Sequence, residues 1–366
     1  MGSLILHEFH QAMGARFLDL NGQEAVANYG NEAAEYAALT ESAGIMDCSY
    51  RSRLCVLGAD RVKFLNGQVT NNVKDLRTGE GCYAALVSAK GKIQSDLHIY
   101  ILENEILLDF EPGFAKAVQE RLEKYIIAED AQVEDVAAHY GLWSVQGPEA
   151  AEVIAKLSWS CAIPEKANSL TKFDAGELGE IYAVNRARSG STGYDLYIPN
   201  AGMPTVANQF TVAAKEVGGC LCGWCALETA RIEAGIPRFG ADMDETNLAS
   251  EVFDTGAISY SKGCYIGQEV IARIRTYGQV AKALRGLQLP DEMRVLPVKG
   301  DKLFLGEKEV GFITSAVASP RLNANLALGC VRREANQIGT ELFLQTAAGK
   351  VLVKIVELPF GGKGKQ

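Results

Sequence analysis

The sequence predicts a multidomain α+β protein that ends in a small antiparallel β-barrel or sandwich, and three observations predict it. At 366 residues the chain is too long for one ordinary core, so two or three domains are expected. The order strand, glycine turn, helix, hairpin occurs twice, from Arg53 and again from Gly141, which suggests two related α+β modules. After Gly278 the texture changes to short β-like runs separated by turns.

Taken in order, the first fifty residues read as helical with turns between. Asn31 is placed to cap a helix through NEAAEYAALTESAG, closed by Gly44. RLCVLG at Arg53–Gly58 reads as a strand, and Asp60 starts a short helix through Phe64 and Leu65. Gly67–Gly81 is polar and turn-rich. Strands are expected at Cys82–Val87 and Leu97–Leu102, the latter paired with Ile106–Phe110 across a turn at Glu103–Glu105. Phe114, Val118, Leu122 and Tyr125 mark a helix whose start Pro112 and Gly113 signal. Gly141–Val145 is a strand. The helix after it turns at Gly147, with Pro148 suited to its first position. Glu180–Pro199 is hairpin-like, and a helix follows around Pro204–Val217. The barrel strands are LRGLQL, KLFL, EVGFITSAV, LALGCV, TELFLQT and KVLVKIVEL, and GGKGKQ is a tail that cannot pack.

The net charge of −9 argues against a global basic field for nucleic acid or acidic membrane surfaces. No run approaches the ~18 apolar residues of a membrane helix. The opening MGSLILHEFHQAMGARFLDL lacks a basic n-region and is not expected to be a secretory signal, and Leu6 disfavours myristoylation. Nine scattered cysteines read as reduced thiols, so a cytoplasmic protein is expected.

Two stretches attract chemical interest. In SKGCYIGQEVIARIRTYG, Ser261–Gly278, the residues Ile266, Val270, Ile271 and Ile274 form an apolar stripe at helical spacing. Glu269 suits the first turn, and Arg273 and Arg275 the last. Cys264 then lies at the mouth of a helix beside Lys262, where a thiol pKa can fall; a half-buried cysteine at a loop-to-helix junction is the structural alternative. In AKGKIQSDLHIY, Ala89–Tyr100, Asp96 falls just before a strand, where a carboxylate could hold a proton or a cationic amine, or act only as a turn residue. By two-residue alternation His98 shares a face with Asp96 and Tyr100. Cys220, Cys222 and Cys225 could bind zinc or an iron–sulfur cluster. No second cysteine or histidine cluster completes such a site, so CGWCALETARIEAG reads better as a helix packing small residues. No Ser–His–Asp arrangement, P-loop or dinucleotide fingerprint occurs.

The word KGCYIGQE, Lys262–Glu269, resembles the signature of the YgfZ family, folate-binding relatives of the glycine cleavage T-protein (aminomethyltransferase) that maintain iron–sulfur enzymes. NGQVTNNV at Asn66–Val73 and AKGKIQSDL at Ala89–Leu97 resemble stretches of the same family. LWSVQGPEAAEVI, ARIEAGIPRFG and VELPF resemble both branches of the superfamily, and the opening HEFHQAMGARFLDLNGQEAVANYG is similar to the start of a T-protein. The resemblance runs from about residue 6 to 360, in order.

It implies a three-domain T-protein-like cloverleaf of two interleaved α+β modules, residues 1–52 with 140–250 and 53–139 with 251–280, making a folate-binding region over 1–280. A β-barrel over 281–360 and a flexible tail over 361–366 complete it. It implies tetrahydrofolate, or a one-carbon-substituted reduced folate, as the bound cofactor, in a monomer that binds neither nucleic acid nor membrane directly. The family's catalytic carboxylate falls on Asp96, with Ser95 where the T-protein has a second aspartate. Tyr83 and Tyr100 match aromatic positions lining the folate site, and Arg231 matches the arginine of the R-x-E-A-G word. Where the T-protein has Thr-Gly-Glu-Asp-Gly, this chain reads STGYDLYI, so the resemblance implies that its pterin-binding glutamate is either replaced by Tyr194 or lost by a one-residue deletion. The function this implies is support of iron–sulfur enzyme assembly or repair, including enzymes that modify tRNA, with Cys264 and Lys262 as the functional pair. The alternative is folate-dependent transfer of a one-carbon unit from an amine, centred on Asp96. A folate-binding scaffold without chemistry is the third reading.

Overall fold

The computed structural model describes residues 2–157, 159, 162–253, 256–278, 280–347 and 349–362. It divides into two compact units. The first comprises Met1–Leu86, Ser95–Leu227 and Gly256–Ile266; the second comprises Val87–Gln94, Glu228–Thr255 and Gly267–Gln366. The α+β class and the closing barrel are both as the sequence predicts.

The first unit contains two sheets. One runs in the order Gly81–Val87, Ile93–Ile101, Ile106–Phe110, Ser52–Leu57, Gln132–Asp135. Alternation explains how it packs. Leu97, Ile99 and Ile101, Leu108 and Phe110, Leu54 and Val56, and Ala84 and Leu86 share one core with Phe64 and Leu65 of the helix Arg61–Asn66 and Val118 and Leu122 of the helix Ala115–Glu123. The intervening residues Tyr83, Asp96, His98, Tyr100, Asp109 and Arg53 therefore point to the opposite face. Asp96, His98, Tyr100, Asp109 and Arg53 on that face are buried as well. A sheet that hides both faces while carrying charge on one of them must pair those charges.

The other sheet runs Leu170–Asp174, Glu180–Asn185, Gly193–Pro199, Tyr140–Gln146, Gly44–Asp47, Cys220–Leu221, with only the last pair parallel. Trp143, Val145, Leu196 and Ile198 pack there against Val206, Ala207 and Phe210 of the helix Met203–Glu216 and Val153 and Ile154 of the helix Ala150–Ala155.

In the second unit a closed antiparallel barrel runs Lys282–Gln288, Ala324–Arg332, Lys308–Ser319, Lys302–Leu305, Glu341–Thr346, Gly349–Val356 and back to the first strand. Leu287, Leu303, Ile313, Leu342, Leu344 and Ile355 fill its core.

Several local expectations need correction. The first fifty residues are not mainly helical. Arg16–Leu20 and Gln23–Asn28 form a hairpin about Asn21 and Gly22, whose φ of 54° and 86° suit a primed two-residue turn. Helix there is confined to His7–Ala12 and Glu32–Glu41, the latter capped by Asn31 Oδ1 accepting from Ala34 N–H at 3.1 Å. That helix stops at Glu41, because Gly44 already opens a sheet strand. Pro148 precedes its helix, which begins at Ala150. Asp96 lies inside the strand Ile93–Ile101 rather than before it. Cys220 belongs to a two-residue strand, and the helix of small residues begins only at Trp224. Within the expected tail, residues 363–366 lie outside the described residues.

Candidate functional site

Asp96 is the centre of the polar sheet face. It is 8% exposed, and the Tyr83 hydroxyl donates to its Oδ2 at 2.8 Å. Its Oδ1 is buried with no hydrogen-bond partner among the described residues. Burial is the main force raising the Asp96 pKa to about 6, with the Glu111 carboxylate adding to it. The Tyr83 hydrogen bond and the charges of Arg51 and Arg186 oppose the rise. The Tyr83 and His98 rings stack at 4.4 Å between centroids, and His98 Nδ1 is also buried without a partner. Alternation places His98 and Tyr100 on the Asp96 face, as expected, and Tyr100 is fully buried there.

Around this centre lies a buried charge network. Arg51 bridges Asp109 at 2.7 Å and Glu111 at 2.7 Å. Arg188 grips both carboxylate oxygens of Asp195, at 2.6 to 3.0 Å, and reaches Asp109 at 3.5 Å. The Arg51 and Arg188 guanidiniums hold the Asp109 carboxyl below its usual range despite burial. Arg186 stands apart. Its Nε and Nη1 are buried without partners, and burial, with the like charges of Arg188 and Arg51, lowers its pKa to about 9. Sequence reading passed over this network. For its acids Asp109 and Asp195 the signal is a single charge in an otherwise apolar run, ILLDF and YDLYI, which alternation makes legible.

Lys262 joins two of the words singled out in the sequence. Its ammonium donates to the carbonyls of Asn66, Val69 and Asn71 at 2.6 to 2.8 Å and lies 4.9 Å over the Tyr265 ring. Burial pushes its pKa down to about 8, with Cys82 opposing the fall. The loop it clasps is also pinned by Thr70, whose hydroxyl donates to Ala257 O, and by Asn71, which donates to Tyr83 O. Cys264 is exposed, not half-buried, and the helix Gln268–Tyr277 begins four residues after it. The Lys262 ammonium is thus committed to the 66–71 loop.

The remaining residues singled out have definite places. Tyr194 sits in the core of the six-stranded sheet. Arg231, in the second unit, donates from Nε and Nη2 to Glu228, from Nη1 to Asp242 and Ile236 O, and from Nη2 to Ser315 Oγ at 2.9 Å. A register shift between Ile313 and Ser315 turns the hydroxyls of Thr314 and Ser315 onto Asp242 Oδ1, at 2.6 and 2.7 Å. Arg231 therefore fastens the chain at Asp242 to a barrel strand with all five donors in use. Cys220 and Cys222 bring their sulfurs to 3.9 Å. Among the described residues no group of three or more His, Cys, Asp or Glu is arranged to hold a metal ion. No described helix is long and apolar enough to cross a membrane.

The chain matches the family model described as the GCVT N-terminal domain over residues 6–260. It matches the glycine cleavage T-protein C-terminal barrel domain over residues 282–361. Among curated relatives, an aminomethyltransferase of Halalkalibacterium halodurans is 26% identical over 98% of this chain and 98% of its own. One of Saccharopolyspora erythraea is 28% identical over 97% and 96%. The crystal structure of glycine cleavage system aminomethyltransferase T from Bartonella henselae shares the fold, with a TM-score of 0.88 at 23% identity over 98% of this chain and 97% of that one.

Proposed function

Because the chain belongs to the glycine cleavage T-protein family, we propose that it transfers a one-carbon unit from an amine to tetrahydrofolate, with Asp96 as its catalytic carboxylate. The observation that carries this reading is the half-satisfied carboxyl of Asp96: Oδ2 is anchored by Tyr83, and Oδ1 is buried and unpaired among the described residues. A buried carboxylate with one free oxygen and a pKa near 6 is suited to hold a cationic amine and to take or return its proton near neutral pH. The curated relatives are aminomethyltransferases, which points the same way.

Reduced folate fits the donor set. The stacked Tyr83 and His98 rings suit a planar heterocycle, and His98 Nδ1, unpaired among the described residues, offers it a polar atom. Folate supplies the nitrogen that accepts the one-carbon unit. Tyr83 fixes the Asp96 carboxyl, Asp96 Oδ1 holds the proton of the donor amine, and the buried surroundings strengthen both interactions by excluding water. Tyr100 supports the sheet face beneath them. A folate contact by Arg231 requires one of its five donors to leave its present partner, so its part is to hold the second unit in shape. Tyr194 acts through the core of its sheet.

The test is formation of 5,10-methylene-tetrahydrofolate by the purified protein with an aminomethyl-lipoyl carrier protein and with small aminomethyl donors. Turnover above the no-protein background supports the reading. No turnover with any donor, in conditions where a glycine cleavage aminomethyltransferase reacts, removes it.

A second reading, a YgfZ-like role in supporting iron–sulfur enzymes, is favoured by one observation: Cys264 of the KGCYIGQE word is exposed. On this reading the thiol works at the surface, and Lys262 contributes by fixing the Asn66–Val73 loop rather than by activating sulfur. Expression of Cys264→Ala in a strain deleted for this protein separates the two. Loss of iron–sulfur enzyme activity with methylene-tetrahydrofolate formation intact supports the second reading, and full complementation rejects it.

A further inference from the structure

Arg186 follows directly on the strand Glu180–Asn185. Its backbone is fixed: its N–H donates to Gly193 O at 2.8 Å, and its carbonyl accepts from Gln146 Nε2 at 2.8 Å. Its guanidinium is not: Nε and Nη1 are buried with no partner among the described residues. The neighbouring acids are already claimed. Asp195 is held by Arg188, and Asp109 and Glu111 by Arg51. Asp96 is the exception, with Oδ1 unpaired. Asp96 and Arg186 act on each other electrostatically, yet no hydrogen bond or ion pair joins them among the described residues.

A buried carboxylate oxygen and a buried guanidinium left apart are each costly, and a molecule that carries both charges relieves both at once. A simple amine satisfies Asp96 and leaves Arg186 unpaired; a simple anion does the reverse. We propose that Asp96 and Arg186 together receive a zwitterionic amino acid or N-alkyl amino acid, its ammonium at Asp96 Oδ1 and its carboxylate at the Arg186 guanidinium. The proposal rests on the reading of Asp96 as the amine-holding group and names the class of small donor that group takes. Stacking of Tyr83 on His98 beside the carboxyl adds an aromatic surface for the aliphatic or N-alkyl part.

Isothermal titration of the full-length protein with N-methylglycine, methylamine and acetate, with and without tetrahydrofolate, tests this. N-methylglycine binds at least about tenfold more tightly than either fragment. Arg186→Gln abolishes that preference, with methylamine still bound at Asp96; Arg186→Lys, which keeps the charge, retains part of the preference; Asp96→Asn weakens both amines. Equal affinity for N-methylglycine and methylamine in the wild type overturns the proposal, and that comparison stands even if Arg186→Gln does not fold. So does an Arg186→Gln variant that binds tetrahydrofolate less tightly and N-methylglycine as before, which assigns the guanidinium to a folate carboxylate. The binding arms without folate keep the two readings apart. Amino-acid preference without one-carbon transfer removes the transferase reading and leaves this site standing. Transfer from a carrier protein without amino-acid binding does the opposite.

Discussion

The Tyr83 hydroxyl donates a 2.8 Å hydrogen bond to Oδ2 of Asp96, and this one bond decides which carboxyl oxygen remains open. It also stabilises the ionised form, against burial and Glu111, which favour the protonated one. The resulting pKa of about 6 lets the group change state near neutral pH.

Stability should follow from that value with a definite sign. The folded-state pKa of Asp96 is raised from 3.8 to about 6, so between those values the folded protein binds more protons than the unfolded chain. Stability attributable to Asp96 therefore falls as pH rises through this window. Asp96→Asn should gain on the order of 3 kcal/mol over wild type at pH 8 compared with pH 4. Urea denaturation of both proteins across that range checks it; a difference independent of pH contradicts it.

Tyr83→Phe removes the hydroxyl and leaves the ring. The Asp96 pKa should then rise further, moving the acid limb of kcat against pH upward by about one unit. A pH–rate profile measures this, and an unmoved limb means that the hydrogen bond does not tune the working carboxylate.

Lys262→Met leaves three carbonyls of the 66–71 loop without their shared donor. The expected cost is about 2–4 kcal/mol, with faster amide exchange confined first to residues 66–74. Exchange monitored by mass spectrometry gives the answer. A loop as protected as in wild type shows that Thr70 and Asn71 suffice to hold it.

Arg51→Met removes the closest cation from the buried carboxylates of Asp109 and Glu111 and leaves Asp109 only the longer contact to Arg188 at 3.5 Å, at a cost of about 3–5 kcal/mol at pH 7. The Asp109 pKa is depressed, so the stability it contributes is present above its unfolded value and lost as pH falls through the folded one. The penalty of the variant should accordingly shrink on acidification, as chemical denaturation at pH 7 and pH 4 would show.

Much of the fold could be read from local pattern. The barrel announced itself because its strands alternate and are short, and the Asn31 cap because Asn suits that position. The Asn21–Gly22 hairpin carries an equally strong signal in its Asn-Gly turn, which outweighs the helical reading of the first fifty residues. At the site, alternation placed His98 and Tyr100 beside Asp96 without any structure. Arg51, Arg186 and Arg188 could not be found that way. Arg51 finds its partners 58 and 60 residues away, Arg188 finds its own 7 and 79 residues away, and that Arg186 keeps unpaired donors depends on the packing of two sheets. Lys262 looked like a partner for Cys264 because they are two residues apart. The ammonium instead serves carbonyls nearly two hundred residues earlier in the chain.

The most direct measurement of the role given to Asp96 compares wild type with Asp96→Asn in single-turnover methylene-tetrahydrofolate formation, alongside tetrahydrofolate affinity. The account predicts a rate lower by about 10²–10⁴-fold with folate affinity changed only a few-fold. A variant that transfers at the wild-type rate would contradict it.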